Sequence, residues 1–196
     1  MNNSFKELPS GYRIKKDFSL KELYIQIIIS LFALVSLVVP SLILIIIKKF
    51  DFTFPKEDKE LIIELLIAGV LFFIGLVLVF LMHEVIHAIL YKKYTKEKNT
   101  VIINLQEFSI RVENIYIKKN IINKIMITPV LIISLVLLIP ILILPLNFIN
   151  IVFILLFSIS IATASDDILT IIMMINCSND ALFLYSNNQI VIYDCY

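Results

Sequence analysis

The chain has 196 residues, of which 60% are hydrophobic and 17% charged, with a formal net charge of +1. Soluble domains carry about 45–50% apolar and about 25% charged residues, so this composition excludes a disordered chain, a nucleic-acid-binding module and an ordinary soluble enzyme. Two cysteines, Cys177 and Cys195, are too few for a disulfide framework.

A helix needs about 20 mostly apolar residues to cross a hydrocarbon layer roughly 30 Å thick. The first such stretch, 23–47, holds no charge, and Pro40 within it is a candidate kink. The 22 residues before it are polar and mixed in charge. The apolar run exceeds the roughly 7–15 residues of a signal-peptide core, and no small-residue cleavage site follows, so this first helix is expected to be retained. The second span is expected at 61–91, with Glu64 near its start. From 125 to 165 there is no charged residue. That is too long for one span and about right for two, and Leu144-Pro145-Leu146-Asn147 offers the break. The third and fourth spans are therefore expected at 127–144 and 147–175. Ala68, Gly69 and Gly75 suit close helix approach in lipid.

Between the second and third spans, residues 100–119 are β-branched and partly alternating, which predicts two or three short strands, such as a hairpin at the cytoplasmic face. Residues 181–193 look similar, with Asn187-Asn188 as a possible turn. The fold expected is an all-α membrane protein with about four transmembrane helices and a small cytoplasmic β-hairpin-like segment, in a single domain over 1–196. Lys and Arg set its orientation. The N-terminal arm holds five, the first loop four, the second loop eight, and nothing after Lys124 carries one. With both termini in the cytoplasm, 13 fall inside and four outside. Lys92-Lys93-Tyr94-Thr95-Lys96-Glu97-Lys98 reads as a cytoplasmic charge anchor. The cysteines then face a reducing compartment.

The two histidines of the chain are His83 and His87, in His83-Glu84-Val85-Ile86-His87. Positions i and i+4 of a helix share a face, so both imidazoles can meet one metal ion, and Glu84 beside the first can serve as general acid–base. Zinc is the expected metal, Zn2+ held by three protein ligands. The third must be a carboxylate, as there is no third His and no upstream Cys. Asp166 and Asp167 are candidates, because an acid pair flanked by apolar sequence is costly without a partner. His83 lies 22 residues beyond Leu61 and Asp167 lies 20 beyond Asn147, which puts both near the cytoplasmic ends of their helices. Glu107 and Glu113 are weaker candidates, more simply read as solvated strand-face acids.

In Leu8-Pro9-Ser10-Gly11-Tyr12, His83-Glu84-Val85-Ile86-His87-Ala88, Met126-Ile127-Thr128-Pro129, Ser165-Asp166-Asp167-Ile168 and Asn179-Asp180-Ala181-Leu182, the chain resembles a bacterial zincin peptidase membrane family, distantly similar to the site-2 protease group of intramembrane metalloproteases. The late motif of that family reads small-Gly-Asp-Ile. Alignment on Ile168 gives Asp167 the family's ligand role and sets Asp166 where the family has Gly. The resemblance implies a zinc-dependent, membrane-embedded peptidase of the bacterial cell membrane, cutting a membrane-associated protein or peptide near the cytoplasmic face. His83, His87 and Asp167 would hold the metal, and Glu84 would be catalytic. Its partners would be the lipid bilayer and that substrate, with no nucleic acid. The rival expectation is a non-catalytic accessory or immunity protein that keeps a structural metal or polar site.

Overall fold

The computed structural model describes residues 4–19, 23–48, 55, 58–95, 101–104, 109–112, 114–186 and 189–195. The helices are α1 (Leu23–Ile47), α2 (Asp58–Thr95), α3 (Lys119–Ile143), α4 (Phe148–Ala162) and α5 (Ser165–Met174). The strands are β1 (Ser4–Phe5), β2 (Tyr12–Ser19), β3 (Val101–Asn104), β4 (Ser109–Val112), β5 (Tyr116–Lys118), β6 (Leu182–Ser186) and β7 (Gln189–Cys195). Among the described residues, four helical stretches are long and apolar enough to cross a membrane: Tyr24–Ile47, Asp58–Thr95, Lys119–Ile143 and Phe148–Met174. They fit an integral membrane protein.

The helices outrun the apolar windows. α2 begins at Asp58 and ends at Thr95, with Asp58 and Glu60 in its first turn and Lys92 and Lys93 in its last. Acids at the N-terminus and bases at the C-terminus complement the helix dipole, so helix continues where hydropathy has already fallen. α3 begins at Lys119 rather than 127, because its first turns, polar at Lys119, Asn120, Asn123 and Lys124, remain helical. Pro40 leaves α1 a continuous helix.

The turn between α3 and α4 falls at the Pro-Asn break. The Asn147 side chain caps α4 by accepting from the Asn150 N–H at 2.9 Å. Asn150, fully buried, donates from Nδ2 to the Ile141 and Leu144 carbonyls at 3.1 and 3.0 Å, satisfying the exhausted end of α3. Lys48 Nζ joins it on Leu144 O at 2.7 Å.

The span expected over 147–175 is present as the apolar stretch Phe148–Met174, and a turn at Thr163–Ala164 divides it into two helices. α4 ends at Ala162 and α5 starts at Ser165. Hydroxyls crowd this point: Thr163 Oγ1 donates to Ser160 O at 3.0 Å, and the Ser165 hydroxyl donates to Ala162 O. Side-chain donors that take helix carbonyls compete with the backbone ladder and allow the break.

The β structure is more extensive than a hairpin. Five strands form an antiparallel sheet in the order β1-β5-β6-β7-β2, and β3 pairs with β4 in a separate two-stranded ladder. The N-terminal arm, polar and mixed in charge, supplies β1 and β2. β2 pairs along β7 from Tyr12↔Cys195 to Ser19↔Gln189, with a register irregularity between Ile14 and Lys16. β6 and β7 pair from Leu182↔Tyr193 to Ser186↔Gln189, and the expected Asn187-Asn188 turn between them lies outside the described residues.

The chain divides into two compact units. The first takes Met1–Ser30, Glu84–Pro129 and Asp166–Tyr196. Its core joins sheet to helix: Ile117, Phe183 and Ile192 pack with Tyr91, Ile122, Ile125, Leu169 and Met174. The second takes Leu31–His83 and Val130–Ser165 and is built from helices. Ile141, Leu146 and Ile154 pack there with Leu44 and Ile45. Its hydroxyls bridge helices, with Ser41 and Ser158 2.7 Å apart and Ser134 and Ser160 3.3 Å apart. Gly75 faces Leu156 so closely that a Cβ would collide with that side chain, whereas a Cβ on Gly69 meets nothing within 4 Å. Of the two glycines expected at close approaches, Gly75 alone has a neighbour there.

Candidate metal centre

α2 supplies His83, Glu84 and His87 from consecutive turns of one continuous helix. The helical period sorts this segment into two faces. His83, Ile86, His87 and Tyr91 are buried, while Met82, Val85 and Ile89 are exposed. Both imidazoles are 4% exposed, so the histidines lie on the covered side of a helix that is otherwise largely uncovered. Tyr91, one turn beyond His87, stacks on its ring with centroids 6.2 Å apart and an interplanar angle of 29°. One turn further, Thr95 is also buried and donates to Tyr91 O at 2.7 Å.

α5 supplies the carboxylate. Asp166 and Asp167 both occupy its first turn, where the helix dipole favours negative charge. Asp167 is 8% exposed and Asp166 is half-buried. Asp167 Oδ2 lies 3.0 Å from His87 Nε2. One donor atom from each of His83, His87 and Asp167 lies within 4.8 Å of the other two. Asp166 stands outside this group. Thr170 Oγ1 donates to its backbone carbonyl at 2.9 Å. Glu107 and Glu113 lie outside the described residues.

The donor set fits zinc. Imidazole nitrogens bind Zn2+ at about 2.0–2.1 Å and carboxylate oxygens at about 2.0–2.2 Å, so two ligands of a tetrahedral ion stand roughly 3.3 Å apart. The observed spacings need only small side-chain adjustments to meet that. Two nitrogens and one oxygen also form a ligand type that leaves a fourth position open on catalytic zinc. Glu84, adjacent to His83 and within electrostatic range of His87, stays outside the donor group.

The sequence reading missed Tyr91. Its signal was available in the spacing His83, His87, Tyr91, Thr95, one residue every four along the same face, but an aromatic at that spacing reads first as ordinary core.

Four helices long and apolar enough to span a membrane, together with a buried two-histidine, one-aspartate donor group, fit an integral membrane protein with a candidate metal centre. The family model described as "Putative zincin peptidase" matches residues 76–182, more than half of the chain, and the chain belongs to that family. No curated protein and no solved structure matches it. The matched stretch contains His83, Glu84, His87 and Asp167 and excludes α1, β1, β2 and β7.

Proposed function

We propose that this protein is a zinc-dependent, membrane-embedded peptidase that hydrolyses peptide bonds near the cytoplasmic face of a bacterial cell membrane. The observation that carries the proposal is the convergence of His83, His87 and Asp167 from two helices, all buried and within 4.8 Å of one another. His83, His87 and Asp167 would hold Zn2+. When bound, the ion supplies a Lewis acid that lowers the pKa of water to about 7 and polarises a carbonyl. Glu84 takes the proton from the attacking water and returns it to the leaving amine, so water adds across the C–N bond and the carboxylate ends as it began. Tyr91 holds the His87 ring in plane by stacking.

We take the site-2 proteases as distant relatives in mechanism, with both termini cytoplasmic and the bilayer as partner. The substrate would be a membrane-associated protein or peptide in extended form. The β3–β4 ladder offers backbone edges to which such a chain can add as a strand.

The test is metal content followed by substitution. Purified protein is expected to carry zinc near one equivalent, and Glu84→Gln is expected to keep the metal and lose turnover. One observation favours a second reading. The 3.0 Å approach of His87 to Asp167 also suits a buried ion pair in a non-catalytic accessory or immunity protein. On that reading the site keeps a structural metal or only its polar contacts, no peptide hydrolysis is detected in the wild type, and Glu84→Gln changes nothing that can be measured.

A further inference from the structure

α5 ends among lysines. Lys16 Nζ donates to Met173 O at 3.1 Å and Lys15 Nζ to Asn176 O at 2.7 Å. Lys119 Nζ donates to Cys177 O at 2.7 Å and Ile175 O at 3.3 Å. Met173 O is among the last carbonyls of α5, which lack partners within the helix and carry about half a negative charge, and the Ile175, Asn176 and Cys177 carbonyls belong to the turn that follows it, so the ammonium groups hold the helix end and its exit turn together. Two further details show that the lysines are directed at this end. Lys15 falls at the register irregularity of β2, where Ile14 pairs with Tyr193 and Lys16 with Ile192. In a regular strand, neighbours point to opposite faces; the bulge turns two successive lysines toward the same helix end. Lys119 occupies the first turn of α3, where the dipole disfavours a positive charge. Its bonds to the Ile175 and Cys177 carbonyls, in the turn just past α5, offset that cost.

We propose that Lys15, Lys16 and Lys119 are positioning residues for Asp167, clamping the far end of α5 so that its first turn presents the carboxylate to His87. The inference rests on the reading of Asp167 as a metal ligand. The helix break at Thr163–Ala164 means that α5 does not inherit its orientation from α4 through an unbroken hydrogen-bond ladder. A carboxylate oxygen stands about 5–6 Å from a helix axis, so a rotation of about 10° displaces it by about 1 Å. Functional constellations tolerate about 0.5 Å. Small freedom at one end of a ten-residue helix is therefore enough to spoil the donor group at the other. Lys15 and Lys16 lie outside the stretch matched by the family model, so part of the clamp is contributed by the N-terminal arm. Asp194 steadies this arm by accepting from Lys15 Nζ at 2.6 Å and from the Ser178 N–H at 3.1 Å.

The experiment uses the full chain in nanodiscs, as wild type, K16M, K119M, the double variant K16M/K119M and the conservative pair K16R/K119R. Three quantities are read: zinc affinity by competition with a chromophoric chelator, the visible spectrum of the Co2+-loaded protein, and backbone hydrogen exchange along α5. The double variant is expected to weaken zinc binding about tenfold, in line with losses from groups that orient metal ligands, and to shift the cobalt bands. Exchange is expected to accelerate at Asp166–Thr170 as well as at Met173–Cys177, while K16R/K119R stays within about twofold of wild type in affinity. Faster exchange confined to Met173–Cys177, with affinity and spectrum unchanged, overturns the proposal. Wild type that binds no metal would sink the zinc reading alone. Exchange at Asp166–Thr170 then still decides whether the lysines position Asp167. The single variants serve the same comparison if the double variant does not fold.

Discussion

Asp167→Ala is the substitution on which the site depends most. It removes one of three donors from a buried group in which Asp167 Oδ2 stands 3.0 Å from His87 Nε2. Zinc held by four protein ligands binds with about 10–16 kcal/mol, which apportions about 3 kcal/mol to each ligand. Losing one is expected to weaken binding by roughly 10²–10³-fold. Asp166→Ala makes the informative contrast. Asp166 sits beside Asp167 in sequence and in the same first turn, and it is half-buried and outside the donor group. Its replacement is expected to change zinc affinity by less than about threefold, the scale of a screened surface charge. The assay is chelator competition on the two purified variants, with thermal unfolding of the metal-free proteins as a check that both remain folded. Equal losses of affinity would refute the assignment of Asp167 and, with it, the alignment on Ile168. Unchanged affinity in both would remove the carboxylate from the metal site altogether.

Glu84→Gln is expected to retain zinc within about twofold and to reduce peptide hydrolysis by about 10²–10⁴-fold, the usual contribution of a general acid–base; loss of metal in this variant would make Glu84 a ligand instead. Asp194 governs an acid-sensitive part of the sheet. Burial alone would raise its carboxyl, but Lys15 and the hydroxyl and N–H of Ser178 outweigh that and hold it at about 2, below the ordinary 3.8. Because the folded value is the lower one, its stabilisation is complete above about pH 4 and is lost as pH falls through about 2. Hydrogen exchange in β7 should therefore accelerate across that window in wild type and be flat across it in Asp194→Asn. Gly75→Leu is expected to lower the unfolding midpoint in detergent by the equivalent of about 1–3 kcal/mol through overpacking against Leu156. Gly69→Ala, which opens onto free space, should leave the midpoint unchanged or raise it slightly.

Hydropathy located the four apolar helices, because a span is a local property: about 20 residues must each be compatible with hydrocarbon, whatever the rest of the chain does. The break between the third and fourth helices was equally local, since Pro145 and Asn147 act on their own backbone. The pairing of His83 with His87 also needed nothing beyond helical spacing. What lay beyond local reading depended on partners far away in the chain. β1 and β2 carry mixed, charged sequence with no clear alternation, and become strands because β5 and β7 offer them hydrogen-bonding edges. The division of the last helix into α4 and α5 turns on hydroxyls bonding carbonyls, which hydropathy does not register. The choice between Asp166 and Asp167 was open to the residues alone, and resemblance could only rank them. Burial of Asp167 against His87, 80 positions away in sequence, separates the two. So the sequence by itself determined which segments are helical and which side chains were candidates for a donor group. Tertiary structure alone decided which of those side chains meet, because a donor group is a relation between elements that no single stretch of chain contains.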